Sequence, residues 1–242
     1  MNKESLKMAL SETTGNFLLE NIHTSVHGTG NLKIAREHLS KGSVLLYFNH
    51  FAKLDTILYG KIIREYITCL DNTAAITSFR HIDPKKGAFN RIQGQLIQDW
   101  HELFGINIIP VIQEKDKEEY SNADEFNRSA VKNAIRFLRQ SGRVLAISPE
   151  GTRSKIGELL KAEEGLEVLF RLGGENVLAM PLAAEHSSVI PLATKTRVIA
   201  GKPFSYEEIE KEHKQNPETT ITELMMRRLA NLLPTKNRGF YK

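Results

Sequence analysis

Short apolar runs alternate with amphipathic segments of helical length through most of this 242-residue chain, and few architectures accept that alternation. Strand-like runs stand at Val44 to Phe48, Ala74 to Ile76, Ile106 to Ile112, Val144 to Ile147, Val177 to Leu182, Val189 to Ala193 and Arg197 to Ala200. Runs this short, bounded by glycine, proline or polar residues, suit buried strands. Between them Phe126, Ala130, Val131, Ala134, Phe137 and Leu138 share one helix face ahead of Gln140-Ser141-Gly142. Leu159, Leu166, Leu169 and Phe170 do the same before Gly173-Gly174, as do Ile221, Leu224, Met225, Leu229, Leu232 and Leu233 before Pro234. Strands alternating with helices predict an α/β fold, a mixed, largely parallel central sheet flanked by helices. Residues 1–40 read as a short N-terminal helical segment broken by a loop at Gly28-Thr29-Gly30, and residues 41–242 as a single α/β domain.

Composition narrows the function classes. One cysteine, Cys69, forms no intrachain disulfide, and no Cys/His spacing of the zinc type occurs, which suits a reducing, cytoplasmic compartment. Glu4, Glu12 and Glu20 interrupt the first twenty residues, so no secretory signal is expected. The longest apolar stretch falls far short of the roughly 20 residues that span a bilayer; a membrane-bound form would lie on the surface. Leu6 to Leu19 and Ile221 to Leu233 have apolar faces that could pack on the core or on lipid. A net charge of +4 suits anionic partners, but nucleic acid is not expected, since no recognition motif, no run of five basic residues and few interleaved aromatics are present. GxSxG and Walker loops are absent, and Gly28-Thr29-Gly30 lacks the third glycine of a dinucleotide fingerprint. His101-Glu102 has Gly105 where a zinc-protease helix needs its second histidine, and Arg80-His81-Ile82-Asp83-Pro84 reads as a solvated turn rather than a metal site.

Two segments that directly follow apolar runs carry chemistry. In Asn49-His50-Phe51-Ala52-Lys53-Leu54-Asp55, His50 sits at the carboxyl end of a strand, where open α/β sheets place their ligands, with an aspartate five positions on. Five is a poor spacing within one helix, but a turn lets Asp55 fold back onto the imidazole. A neutral imidazole near pH 7 can take the proton of an attacking hydroxyl, and a carboxylate fixes its tautomer. A capping aspartate beside a structural histidine would look the same. The second segment is Ile147-Ser148-Pro149-Glu150-Gly151-Thr152-Arg153-Ser154. Pro149 and Gly151 shape a turn with free N–H groups, Thr152 and Ser154 add hydroxyls, and the Arg153 guanidinium matches phosphate or carboxylate. Glu150 would either orient Arg153 or accept a hydrogen bond from an acceptor hydroxyl; a plain surface turn with a salt bridge is the competing reading.

An NHxxxxD segment followed about a hundred residues later by PEGTRS resembles the glycerophosphate/lysophosphatidate acyltransferases, the PlsC-like family. Ser154 to Leu159 continues the second block in the family's manner, Gly165 falls in the expected helix, and Val189 to Ala193 and Val198 to Phe204 are similar to its later blocks. The resemblance implies acyl transfer from an acyl-CoA or acyl-carrier-protein thioester, without any other cofactor or metal, to a lysophospholipid at a membrane surface. It makes His50 the general base and Asp55 its partner, and gives Glu150, Gly151, Thr152, Arg153 and Ser154 to the acceptor's glycerol phosphate. Asn49 and Lys115 stand as further candidate substrate contacts. Gln113 departs from the family's second block, which places an arginine there before Lys115 and Lys117, and leaves another lysolipid or alcohol head group as the alternative acceptor, with a non-catalytic lipid-binding relative as the competing class.

Overall fold

Val44 to Phe48 carries one polar side-chain atom, the Tyr47 hydroxyl, which donates to the Met225 carbonyl at 2.9 Å, and the sheet is built outward from this run. The structure, a computed structural model, describes residues 24–51, 55–83, 105–185 and 196–242. Eight strands form one sheet among these residues: β1 (Thr24–His27), β2 (Ser43–Phe48), β3 (Thr73–Ser78), β4 (Asn107–Val111), β5 (Val144–Ile147), β6 (Val177–Glu185), β7 (Thr196–Ala200) and β8 (Phe204–Ser205). Their order is β1-β7-β6-β2-β5-β3-β4, with β8 also on β6. β2 lies at the centre, buried at every position, and runs parallel to both neighbours in the registers Val44↔Val144 and Ser43↔Val177. Parallel pairing continues through β3 and β4 and recurs between β1 and β7, while β6 meets β7 and β8 antiparallel. The sheet is therefore mixed and largely parallel.

Side chains alternate across β2 with the period of two that a strand imposes. Leu45 and Tyr47 face one core with helices α3 (Ala123–Leu138), α4 (Gly165–Gly173), α5 (Tyr206–Gln215) and α6 (Ile221–Ala230). Val44, Leu46 and Phe48 face the other with α1 (Thr29–His38), α2 (Asp55–Ile62) and the π-helical turn Ile63–Ile67 that extends α2. Both faces are covered, as parallel sheets require.

Two elements depart from the sequence reading, and one helix was not anticipated by it. Thr24–His27, expected to be helical or irregular, is a strand belonging to the main sheet; Val26 is its one aliphatic residue, so its pairing with β7 leaves no local periodicity to read. Leu159 is not on the α4 face, because that helix starts at Gly165 and Leu159 lies in the irregular segment before it. Polar α5 buries Ile209 alone and is secured by a capping box in which Ser205 and Glu208 exchange hydrogen bonds. The expected strand Val189 to Ala193 and the apolar face Leu6 to Leu19 lie outside the described residues.

Gly28 explains how β1 turns into α1. It adopts a left-handed φ of 77°, and a Cβ there would strike the Ala200 carbonyl oxygen. Gly28→Ala is expected to lower stability by about 2 kcal/mol or more, from left-handed strain plus that collision. A urea unfolding curve checks it: an unshifted midpoint would show that this turn is not constrained.

Candidate active site

Parallel neighbours in a sheet end on the same edge. Because β2 and β5 are such neighbours, the segments that follow them, His50 and the 148–154 turn, are delivered side by side. Main-chain hydrogen bonds then fasten one to the other: the His50 N–H donates to Glu150 Oε1 at 3.0 Å, and the His50 carbonyl accepts from Ser154 N at 2.9 Å.

His50 Nδ1 stands 3.1 Å from Asp55 Oδ2, an oxygen that also accepts the Phe51 N–H at 2.7 Å. Asp55 opens α2 and is buried, whereas the His50 side chain keeps 25% of its surface exposed. An ionised carboxylate can only accept, so the pairing places the proton of a neutral imidazole on Nδ1 and leaves Nε2 as a base. The strand-to-helix turn thus closes the five-residue spacing that no single helix could.

Glu150 gives both carboxylate oxygens to main-chain donors. It is 3% exposed, and its second oxygen accepts the Leu160 N–H at 2.8 Å, so the carboxylate staples His50 to the segment beyond the turn. No ion pair joins it to Arg153 among the described residues. Burial pushes its pKa up to about 7; the two N–H donors, from Leu160 and His50, oppose that shift, and the Asp55 charge adds to it.

Asn49 is likewise structural, contrary to its place among substrate contacts. It is fully buried; its amide donates to the Ala184 carbonyl at 3.0 Å and accepts from Ala184 N at 2.8 Å, while the Tyr59 hydroxyl donates to its main-chain oxygen at 3.0 Å. The amide thereby prolongs the β2–β6 pairing by one residue and holds the approach to His50 rigid. Ser154, 2% exposed, accepts from Glu158 N at 3.2 Å and faces the interior.

What remains accessible is a smaller set. Gly151 takes φ 62° and tightens the turn, Thr152 is exposed and Arg153 half-buried. Among the described residues the N–H groups of Thr152 and Arg153 meet no protein acceptor, and the Arg153 guanidinium has no partner. Lys115 joins them: from the turn Glu114–Glu119 after β4, its ammonium donates to Thr152 Oγ1 at 3.0 Å. Gln113 caps that same turn, so two residues beyond the uncharged position the chain brings a cation to the PEGTRS loop. At the segment expected to be a solvated turn, Arg80 pairs with buried Asp116 at 2.9 Å and Tyr120 donates to buried Asp83; no cluster able to hold a metal is found among the described residues.

No family model matches the chain, and no curated protein matches it in sequence. Among solved structures, that of the 1-acyl-sn-glycerophosphate (LPA) acyltransferase PlsC from Thermotoga maritima aligns with a TM-score of 0.54 at 16% sequence identity, over 93% of this chain and 79% of that one. The likeness is one of fold: the mostly parallel sheet with helices on both faces seen here matches the fold of that structure.

Proposed function

We propose that the chain is an O-acyltransferase that moves a fatty acyl group from an acyl-CoA or acyl-carrier-protein thioester to the hydroxyl of a glycerophosphate-type acceptor. The observation that carries this is the His50–Asp55 pair at the mouth of β2, with an accessible ring held against the 148–154 turn. Nε2 takes the acceptor's hydroxyl proton as the oxygen bonds to the thioester carbonyl carbon; the C–S bond breaks, and the imidazolium returns the proton to the departing thiolate. Asp55 stabilises the imidazolium without taking its proton. No covalent acyl-enzyme is needed.

Acceptor recognition falls to Arg153, Lys115, Thr152 and the free N–H groups of the turn, a set of donors and cations suited to phosphate. The fold neighbour's name gives 1-acyl-sn-glycerophosphate as that protein's substrate, and 1-acylglycerol-3-phosphate is the acceptor we assign here, within phospholipid synthesis. Gln113 and the flexible ammonium of Lys115, in place of a planar guanidinium, favour a second reading in which another anionic lysolipid is accepted. Glu150 and Asn49 are positioning residues in either case. Among the described residues no helix is long and apolar enough to cross a membrane. We place the protein on the cytoplasmic face, drawn by its +4 charge to anionic lipid.

His50→Ala should fold normally and lose about a hundredfold or more in turnover, the usual size of a general-base contribution. Full activity in that variant would remove the proposal. Arg153→Ala and Lys115→Ala should each raise the acceptor KM and leave the donor KM unchanged; equal rises in both would place these cations at the donor instead. Glu150 gives a pH signature. Its folded pKa of about 7 lies above the usual carboxylate value, so the native state binds the extra proton between about 4.5 and 7. The associated stability is complete below that window and lost as pH rises through 7. Relative to Glu150→Gln, which cannot titrate, the native protein should lose about 3 kcal/mol across the window, and a flat difference in urea unfolding would contradict the buried-carboxylate assignment.

A further inference from the structure

Eighty-five residues and more separate Glu150 from the segment 235–242, yet that segment lies against the chain that holds Glu150. Pro234 ends the helical course after α6, and two short 3-10 turns, Thr235–Asn237 and Gly239–Tyr241, follow. The Asn237 side chain donates to the Gly157 carbonyl at 2.7 Å, and its own carbonyl accepts from Leu159 N at 3.0 Å. Phe240 N donates to the Leu159 carbonyl at 3.1 Å, and the Tyr241 hydroxyl accepts from Ala162 N at 2.8 Å. Gly239, at φ 51°, lets the two backbones touch, since a Cβ there would collide with Leu159.

These bonds grip Leu160 on both sides, through Leu159 and Ala162. Leu160 is the residue whose N–H reaches Glu150 Oε2, and the other oxygen of Glu150 holds the His50 N–H. We infer that the segment 235–242 is a positioning element for His50: Tyr241 and Gly239 fix the 157–162 strap, the strap fixes Glu150, and Glu150 fixes the histidine's main chain. Tyr241, 9% exposed and set into the core beside α6, is the anchor of the relay. Its consequence for turnover rests on the acyl-transfer reading; its consequence for the His50 amide does not.

The test pairs amide hydrogen exchange with kinetics in Tyr241→Phe and Gly239→Ala. Tyr241→Phe keeps the ring and deletes the oxygen that accepts the Ala162 N–H, so it should fold. In it, exchange at the Leu160 and His50 amides should quicken by about tenfold, with α5 amides unchanged, and kcat should fall by about tenfold with both KM values nearly constant. Gly239→Ala should act in the same direction and more strongly. A role confined to overall stability would instead speed exchange everywhere alike and leave kcat unchanged well below the unfolding temperature. Unaltered exchange at Leu160 and His50 in Tyr241→Phe overturns the inference. If the native protein transfers no acyl group to any acceptor, the function proposed above fails, and the exchange measurement still decides whether the relay exists.

Discussion

A carboxylate removed from water and held by two main-chain N–H groups fixes everything else in this site. Glu150 could have been solvated cheaply in a surface turn. Buried, it carries the cost of lost hydration, which shows as a pKa near 7, and in return it ties the loop at His50 to the segment at Leu160. Removing such a group leaves two part-buried donors unsatisfied, and that asymmetry opposes any departure of the turn from this arrangement.

The sheet supplies the coarse placement that this staple refines. Parallel pairing of β2 with β5 sets two strand ends next to each other, and parallel pairing with β6 brings Ala184 to Asn49. Backbone geometry therefore locates His50 to within a residue or so, and side chains that never face substrate set the remainder: Asn49 from one flank, Glu150 from the other, Asp55 from below. The proposed chemistry follows from what the site leaves accessible among the described residues, an imidazole nitrogen, a guanidinium, an ammonium and the N–H groups of Thr152 and Arg153.

Much of this was legible in the residues. Runs such as Val44 to Phe48 announce strands because they are apolar throughout, and the polar segments after β2 and β5 stand out against them. The pairing of His50 with Asp55 was readable once a turn, not a helix, was placed between them. What could not be read is instructive. Glu150, Asn49 and Ser154 carry side chains typical of binding sites, and their actual partners are mainly backbone groups, of Leu160, His50, Ala184 and Glu158, which have no signature in sequence. β1 escaped for a similar reason: its register depends on β7, about 170 residues away, and not on any alternation of its own. Lys115 was visible as a cation after Gln113, but its reach to Thr152 depends on the 3-10 turn that carries it.

Direct transfer is the claim on which the functional account stands. It is tested by mixing the protein with an acyl thioester and 1-acylglycerol-3-phosphate, then measuring released thiol and newly formed ester in the same sample. Thiol and ester should appear one for one, in proportion to acceptor, with no burst of thiol when acceptor is omitted. Thiol released at the same rate without acceptor, or without any ester formed, would contradict it.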